Sequence, residues 1–313
     1  MTCNLCQAND TEILCEGVDR LHEIPGTYKL VRCRQCGLIY IDPMPAYEDL
    51  AQHYPENYIP YSKAIDDEPC LLKRWDRRYG VYKRCRAVIR NSDQQSGRIL
   101  DVGCATGNFL DGMRRLGDWQ TVGVEPNPYA SNYAQERLGL DVFACELKEA
   151  SFEKDSFDIV TLWDVLEHVP DPMATLQEVA RVLRTDGVLV LSLPNPETWE
   201  ISLFGFHWAG WDMPRHLHLF TQDVLVRYLK ESGFEVIEIT SFTGKYHVFL
   251  LSLDLWVRER FPYWRKLVLS ILRFWPIRLL GLIIFSISDR IKLSSIMAVF
   301  ARRVEEDETN GNT

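Results

Sequence analysis

The sequence lacks the features of exported, membrane-spanning and nucleic-acid-binding proteins. It opens with Met1-Thr2-Cys3 and shows no basic segment followed by an apolar one. The charge-free part of its most apolar stretch, 279–288, is ten residues long, too short to span a bilayer. Acidic residues outnumber basic ones by 44 to 35, and the net charge of −9 argues against a general nucleic-acid binder. We therefore expect a cytoplasmic protein whose nine cysteines are mainly thiols.

The composition otherwise indicates an ordinary folded protein. Of the 313 residues, 46% are hydrophobic and 25% are charged, as in globular domains. The length suffices for one α/β domain with additions at both ends.

A glycine turn near residue 103 organises the chain. Residues 98–102 predict a buried strand, and residues 107–117 predict a helix. Between them lie Gly103 and Gly107, which let backbone N–H groups approach a ligand closely. Asp101, at the end of the strand, is expected at the crevice where open α/β sheets bind ligands.

A second acid follows at a typical distance. Residues 121–125 predict a strand that ends at Glu125, 24 residues after Asp101, where mononucleotide-binding units present a carboxylate to ribose hydroxyls. The turn does not spell G-x-G-x-x-G, which argues against a nicotinamide enzyme.

The order and spacing of these segments resemble the class I S-adenosylmethionine (SAM)-dependent methyltransferases, over residues 80–245 and again near 295–304. The turn matches their D-x-G-x-G-x-G pattern except that Ala105 replaces the middle glycine. The resemblance implies an α/β, doubly wound, seven-stranded Rossmann-like sheet that ends in an antiparallel edge hairpin. Strands are expected at 98–102, 121–125, 141–145, 157–163, 187–193, 234–241 and 295–303, and further helices at 128–138, 172–184 and 221–232. It also implies SAM as cofactor, contacted by Asp101, Gly103, Cys104, Ala105, Gly107, Glu125, Pro126, Glu146, Leu147, Trp163 and Asp164.

Two cysteine pairs mark the N-terminus. Cys3-x-x-Cys6 and Cys33-x-x-Cys36 can each place two thiolates on one tetrahedral ion, and strands are predicted at 12–17 and 28–32 between them. We predict a zinc ribbon over 1–42 with a structural zinc. Two coincidental pairs of surface cysteines are the alternative.

The next segment, 43–97, combines a Tyr- and Pro-rich stretch with a helix predicted over 71–89. The stretch is either a linker packed by its aromatic rings or a lid over cofactor and acceptor. The core is expected over 98–245 plus 294–304.

Three histidines are candidate catalytic groups. His168 has either a structural role in helix packing or a catalytic role as a general base. His216 and His218 lie in a long loop rich in aromatic residues. One of the two removes a proton from the acceptor hydroxyl, or both form hydrogen bonds with backbone groups of the loop. In the same loop, Arg215 is expected to pair with a phosphate or carboxylate.

The region 246–293 is a predicted helical insertion of basic and apolar character. Between 258 and 292 it carries eight Lys or Arg and two acidic residues, a net charge of +6. This pattern favours contact through 255–292 with an anionic membrane surface, and a dimer interface or a cap over the site are the alternatives. The last residues, 305–313, predict a disordered acidic tail.

The sequence thus predicts a SAM-dependent methyltransferase at the inner face of a membrane, without a nucleic-acid partner. The expected acceptor is a hydroxyl, or as the weaker option a carbon, of a small molecule, a glycan, a lipid-linked sugar or another membrane-associated compound. A quinone-ring O-methyltransferase and a non-catalytic scaffold with the same fold are alternatives. A zinc-ribbon RNA methyltransferase fits the acidic total less well.

Overall fold

The computed structural model describes residues 2–46, 49–50, 52–54, 65–241, 245–274, 281, 285, 287–288 and 290–304. Its strands in chain order are β1 (Thr11–Gly17), β2 (Tyr28–Cys33), β3 (Ile39–Ile41), β4 (Gly97–Val102), β5 (Trp119–Val124), β6 (Asp141–Phe143), β7 (Phe157–Trp163), β8 (Leu183–Pro194), β9 (His218–Leu219), β10 (Phe234–Thr240) and β11 (Ile296–Arg303). Its α-helices are α1 (Leu71–Ser92), α2 (Asn108–Leu116), α3 (Pro128–Leu138), α4 (Pro172–Val182), α5 (Glu200–Phe204), α6 (Gln222–Glu231), α7 (Lys245–Arg260) and α8 (Arg265–Arg273).

Seven strands form the main sheet, in the order β10-β11-β8-β7-β4-β5-β6. Strands β4 to β8 pair in parallel, whereas β11 runs antiparallel to both β8 and β10. This confirms the doubly wound α/β fold and its antiparallel pair, with β10 at the edge and β11 one place inside it. The strand order reverses between β4 and β7, which places a ligand crevice at their carboxyl ends.

The two faces of this sheet carry separate cores because neighbouring residues of a strand point to opposite sides. In β7, Val160 packs on the face that is covered by α4 and α6, and Ile159 packs on the face that is covered by α1, α2 and α3. The first of these cores also contains Cys3 and Cys33, so the cysteine end of the N-terminal segment packs directly on the core of the main sheet.

A second sheet joins the N-terminus to a distant loop. Its order is β1-β2-β3-β9, and β9 enters it through the pairs Ile39 with Leu219 and Tyr40 with His218. The predicted ribbon strands are thus present as β1 and β2, but the sequence did not predict that the long loop before α6 supplies the fourth strand. The reason is that pairing between segments so far apart leaves no local pattern.

Most predicted elements appear within a few residues of their expected ends. Strand β7 has the predicted bounds, β6 is two residues shorter than 141–145, and β8 begins four residues before 187. The insertion is helical in α7 and α8, as expected. No helix of the described ranges is long and apolar enough to cross a membrane. The 305–313 tail and most of the Tyr- and Pro-rich stretch that was expected to be a linker or a lid, 55–64, lie outside the described residues.

Candidate active site

The turn between β4 and α2 requires its glycines. Gly103 and Gly107 adopt φ values of 67° and 77°, in the left-handed region that favours glycine. A Cβ on Gly103 would come within 2.7 Å of Val165 Cγ2, and one on Gly107 within 2.4 Å of Leu140 Cδ1. The backbone therefore passes close to its neighbours on both sides of the turn, and the N–H groups of Gly103 and Cys104 donate to Val124 O at 2.8 and 3.1 Å.

Ala105 occupies the position of the missing middle glycine. Its φ of 47° is also left-handed, although an alanine there loses about 1 kcal/mol relative to ordinary backbone. Its backbone N–H donates to Glu125 Oε2 at 2.9 Å. The departure from the family pattern therefore changes the residue but keeps the shape of the turn.

Glu125 is held at the end of β5 by backbone donors. The N–H groups of Ala105 and Asn127 each donate to one of its carboxylate oxygens at 2.9 Å. Burial raises the pKa of Glu125, and these two N–H groups oppose the shift. The carboxylate thus has a fixed orientation beside the turn, as an acceptor for a ligand's hydroxyl groups needs.

Asp101 lies next to it at the end of β4. Thr161 Oγ1 of β7 donates to Asp101 Oδ1 at 2.6 Å. Burial raises the pKa of Asp101 to about 7, although the Thr161 hydrogen bond and the charge of Arg84 act in the opposite direction. This carboxyl therefore changes charge near neutral pH, and a cationic ligand beside it would favour the ionised form.

Arg84, which the sequence analysis missed, spans the crevice from α1. Its guanidinium lies 4.9 Å from the centre of the Trp163 ring, and its Nη2 is 3.4 Å from Asp164 Oδ2. Asp164 is fixed in turn, because Ser192 Oγ donates to its Oδ1 at 2.9 Å. The only signal in the sequence was the general basic face of this helix, which does not single out one arginine.

The other predicted donor-site residues differ in their burial. Cys104 is buried, and its sulfur is 2.6 Å from where a Cβ on Gly123 would lie. Leu147 is buried in the core that contains Val102 and Val124. Pro126 and Glu146 are exposed.

Two of the three candidate histidines meet beyond the end of β7. The rings of His168 and His216 are 4.8 Å apart. Their Nδ1 atoms lie 2.9 Å from Arg215 O and 2.8 Å from Gly210 O. Because a carbonyl only accepts, Nδ1 carries the proton in both rings and the lone pair is on Nε2.

Glu167 completes this cluster with a buried carboxyl group. Neither of its oxygens has a hydrogen-bond partner within the described ranges, and burial raises its pKa well above the usual value. One ligand atom from each of Glu167, His168 and His216 lies within 4.8 Å of the others, so these three side chains could hold a metal ion.

All three predicted catalytic histidines are neutral at pH 7. Burial lowers the pKa of His168 to about 3 and that of His218 to about 4. Burial also lowers the pKa of His216, against the opposing charge of Asp212. His218 lies apart from the other two: its ring packs between Tyr40 and Phe220, and it belongs to the N-terminal sheet.

Arg215 is committed to partners within the chain. The side chain is fully buried, and its guanidinium donates two hydrogen bonds to Asp19, at 2.8 and 3.0 Å, and two to Asp212, at 2.5 and 3.0 Å. Asp19 also contacts His53 Nδ1 at 2.7 Å. Arg215 thus pairs with carboxylates, as expected, but these belong to Asp19 and Asp212 of the same chain. The side chain ties the N-terminal segment to the histidine loop.

The four N-terminal cysteines converge. The Sγ atoms of Cys3 and Cys36 are 3.4 Å apart, those of Cys6 and Cys33 are 3.5 Å apart, and all four lie within 4.8 Å of one another. Burial acts to raise the pKa of Cys33, but the N–H groups of Cys36 and Gln35 lower it to about 7. This arrangement is compatible with a zinc ribbon.

Comparison with known proteins agrees with this geometry. The sequence profile of a family described as "Methyltransferase domain" matches residues 75–239, just over half of the chain. The chain belongs to this family. It therefore carries a SAM-dependent methyltransferase domain.

Several curated relatives that match this region share one name. A ubiquinone biosynthesis O-methyltransferase of Bradyrhizobium sp. is 32% identical over 170 residues, which is 49% of this chain and 66% of that protein, just under two thirds of its length. One of the same name from Xanthomonas axonopodis pv. citri is 26% identical over 200 residues, which is 58% of this chain and 83% of that protein.

Solved structures share the fold at low sequence identity. A chain of the Haloferax volcanii complex with the Trm112 methyltransferase activator is 16% identical, with a TM-score of 0.51 over 75% of this chain and 92% of that one. The cyclase SpnF is 17% identical, with a TM-score of 0.50 over 72% of this chain and 82% of that one. At such identities the likeness shows the fold alone.

Proposed function

We propose that this methyltransferase transfers a methyl group to a ring hydroxyl of a quinone-type acceptor that is associated with a membrane. The observation that carries this proposal is that the donor-site acids Asp101 and Glu125 and the His168–His216 pair all lie at or beyond the carboxyl ends of parallel strands, which share one edge of the sheet. The names of the relatives support the quinone alternative more than a glycan or a lipid-linked sugar. The scaffold alternative is disfavoured because the turn and both acids of a donor site are present.

The residues of the donor side suit the chemical groups of SAM. When bound, SAM supplies a methyl group activated on a positively charged sulfonium. The carboxylates of Asp101 and Glu125 favour a cationic, hydroxyl-bearing ligand, and the glycine turn allows its close approach. Trp163 supplies an aromatic ring at the same edge, packed against Phe109 at 5.2 Å.

Proton removal from the acceptor hydroxyl is assigned to His216. Its neutral ring carries the lone pair on Nε2, which lies 3.8 Å from Asp212 Oδ2. That carboxylate stabilises the charged ring that forms when the proton is taken up. His168, whose pKa is about 3, is the weaker base and positions its neighbour through ring packing.

The acceptor class is tested with methyl-labelled SAM. The purified protein is incubated with a prenylated catechol, with its short-chain analogue and with a lipid-linked sugar, and the label is followed into each product. We expect label in the prenylated catechol. Label in the lipid-linked sugar alone would refute the quinone proposal while leaving methyl transfer intact.

The role of His216 is tested by substitution. We expect His216→Asn to lower kcat by 10²-fold or more with little change in SAM affinity, and to remove the acidic limb of the pH profile, on which activity rises as the imidazole loses its proton. His22→Gln, in the N-terminal segment, is the matched control. An unchanged pH profile in His216→Asn would remove the residue from proton transfer.

We also propose that the four N-terminal cysteines hold a structural zinc ion. Tetrahedral thiolate ligands at about 2.3 Å from zinc lie about 3.8 Å from one another, within the range of the sulfur separations observed here. All four ligands come from the protein, so such an ion has no open position for chemistry. Elemental analysis of protein purified without chelator should find one zinc per chain, and its absence would refute the ribbon.

The insertion, 246–293, is proposed to contact the cytoplasmic face of a membrane. In its described part Tyr263 is 97% exposed, and Trp264 and Leu267 are also exposed beside basic residues of α8. Apolar and basic side chains that share one surface suit an anionic lipid interface. Flotation with anionic liposomes at low and high salt tests this, and Trp264→Ala with Leu267→Ala should weaken it.

A further inference from the structure

One exposed surface takes no part in the crevice or in the insertion. It lies on α1, whose residues Cys85, Val88 and Ile89 are buried against the sheet. Five large apolar side chains of the same helix remain exposed: Leu71, Leu72, Trp75, Tyr79 and Tyr82. Leu72 and Trp75 expose 80% and 66% of their surface. We call these five the α1 stripe.

The stripe is continuous. At 3.6 residues per turn the five positions fall within an arc of about 100°. The rings of Trp75 and Tyr79 stack with their centres 5.5 Å apart and their planes 1° apart. Single exposed apolar residues need no explanation, but a contiguous set along one side of a helix marks an interaction surface.

Charge identifies the partner. α1 carries eight Lys or Arg and one Asp, a net charge of +7 in a chain whose total is −9. Arg86 and Arg90 lie on the same arc as the stripe, one and two turns beyond Tyr82, and both are exposed. An apolar stripe that continues into exposed arginines suits a surface with an acyl layer beneath anionic headgroups.

We propose that the α1 stripe, with Arg86 and Arg90, docks the protein on an anionic lipid bilayer. This inference goes beyond the proposed function and does not depend on which acceptor is methylated. The same helix carries Arg84 into the crevice, where it contacts Trp163 and Asp164. Docking through α1 would therefore hold the crevice beside the membrane surface. A nucleic acid is a less suitable partner, because the apolar side chains of Leu71 and Leu72 cannot bind its phosphate groups.

The test uses the full chain and vesicles of equal parts phosphatidylglycerol and phosphatidylcholine, with pure phosphatidylcholine for comparison. The intact protein should float with the anionic vesicles. Arg86→Gln with Arg90→Gln should weaken partitioning about 30-fold, since each basic residue near such a surface contributes about 1 kcal/mol. Trp75→Ala with Tyr79→Ala should weaken it about tenfold. Tyr129→Ala, an exposed aromatic residue on α3, is the matched control and should change nothing.

A local reporter separates α1 from the insertion. Cys70 directly precedes α1 and is exposed, whereas the other eight cysteines are buried or half-buried. An environment-sensitive fluorophore on Cys70 should brighten when anionic vesicles are added. The same fluorophore placed through Tyr129→Cys in a Cys70→Ser background should not.

Several outcomes would overturn the proposal. If the protein floats but the Cys70 reporter and both double variants behave as controls, the insertion alone binds lipid and the α1 inference fails while the proposed function stands. Duplex DNA binding that depends on Arg86 and Arg90, without vesicle binding, would assign the surface to nucleic acid. Loss of thermal stability or of a dimer in Trp75→Ala with Tyr79→Ala would show that protein covers the stripe.

Discussion

The two sides of the crevice are built in different ways. On the donor side, Asp101, Gly103 and Gly107 belong to one strand–turn–helix unit, and Glu125 comes from the next strand. On the acceptor side, the His168–His216 pair is held by a loop that β9 and Arg215 attach to the N-terminal sheet. The donor side therefore depends on local structure, and the acceptor side depends on contacts across almost 200 residues. Each side should fail separately when its own supports are removed.

Removal of the proposed zinc ion from the N-terminal cysteines should have the largest effect. Structural zinc contributes about 10–16 kcal/mol to the folding of small ribbons, so its loss should unfold β1 to β3 and release β9. We expect Cys33→Ser, or chelation, to lower methyl transfer at least 10²-fold while SAM affinity measured by calorimetry changes less than about twofold.

Cys70→Ser, at an exposed cysteine outside the cluster, is the control and should keep full activity. Equal losses of SAM binding and of methyl transfer in Cys33→Ser would contradict the separation of the two sides.

The next effect concerns the buried ion pairs of Arg215. Arg215→Ala leaves Asp19 and Asp212 buried without their cation, which should lower the free energy of unfolding by about 3–5 kcal/mol. Arg227→Ala, which breaks an exposed pair with Glu231, should cost about 0.5 kcal/mol or less. Urea unfolding of both variants measures the difference, and similar values would show that the buried network adds nothing.

Low pH should weaken the same attachment, which Arg215 and Asp19 make between the histidine loop and the N-terminal segment. Burial favours the neutral form of Asp19, but hydrogen bonds from Arg215 outweigh it and lower the pKa to about 2. A carboxyl whose folded pKa is depressed stabilises the fold above its unfolded pKa, near 4, and this stabilisation is lost as the pH falls towards 2. Thermal melts of the native protein should show this loss, and Asp19→Asn should lack that part of the pH dependence.

On the donor side the expected pH effect is smaller and lies near neutrality. With the pKa of Asp101 raised to about 7, a cationic ligand that needs the ionised form binds about tenfold more tightly at pH 7.5 than at pH 6. Calorimetric titration with SAM across this range should show the trend. Asp101→Asn should bind more weakly and lose the trend, whereas Asp141→Asn, at an exposed acid of β6, should keep it.

The smallest effect tests the unusual turn residue. Ala105→Gly removes the strain of an alanine in the left-handed region. Glycine also increases the conformational entropy of the unfolded chain, which offsets part of this gain. We expect the free energy of unfolding to rise by roughly 0.5 kcal/mol. The same exchange in the middle of helix α3, Ala134→Gly, should cost about 1 kcal/mol. Opposite signs in denaturant unfolding would confirm that position 105 is a glycine position occupied by alanine.

The features that could be predicted from the sequence lie mainly on the donor side. The donor turn, Glu125 and strands such as 157–163 were predictable, because apolar runs, glycine spacing and strand-end acids are local patterns. Arg84 was missed because any arginine of a basic helix has the same local signature. A carboxylate partner was expected for Arg215, but it could not be identified as Asp19, because that residue lies 196 residues away in the chain.

The sequence by itself determined the family, the seven-stranded α/β sheet, the acids at the ends of two strands and the two C-x-x-C motifs that hold four cysteines. Only the tertiary structure decided that β9 joins the N-terminal sheet, that His168 and His216 meet while His218 does not, and that α1 leaves an apolar stripe uncovered. The physical reason is the range of the interactions involved. Hydrogen bonds and periodicity within an element act between near neighbours in the chain, whereas burial and ion pairing depend on which distant segments the folded chain brings together.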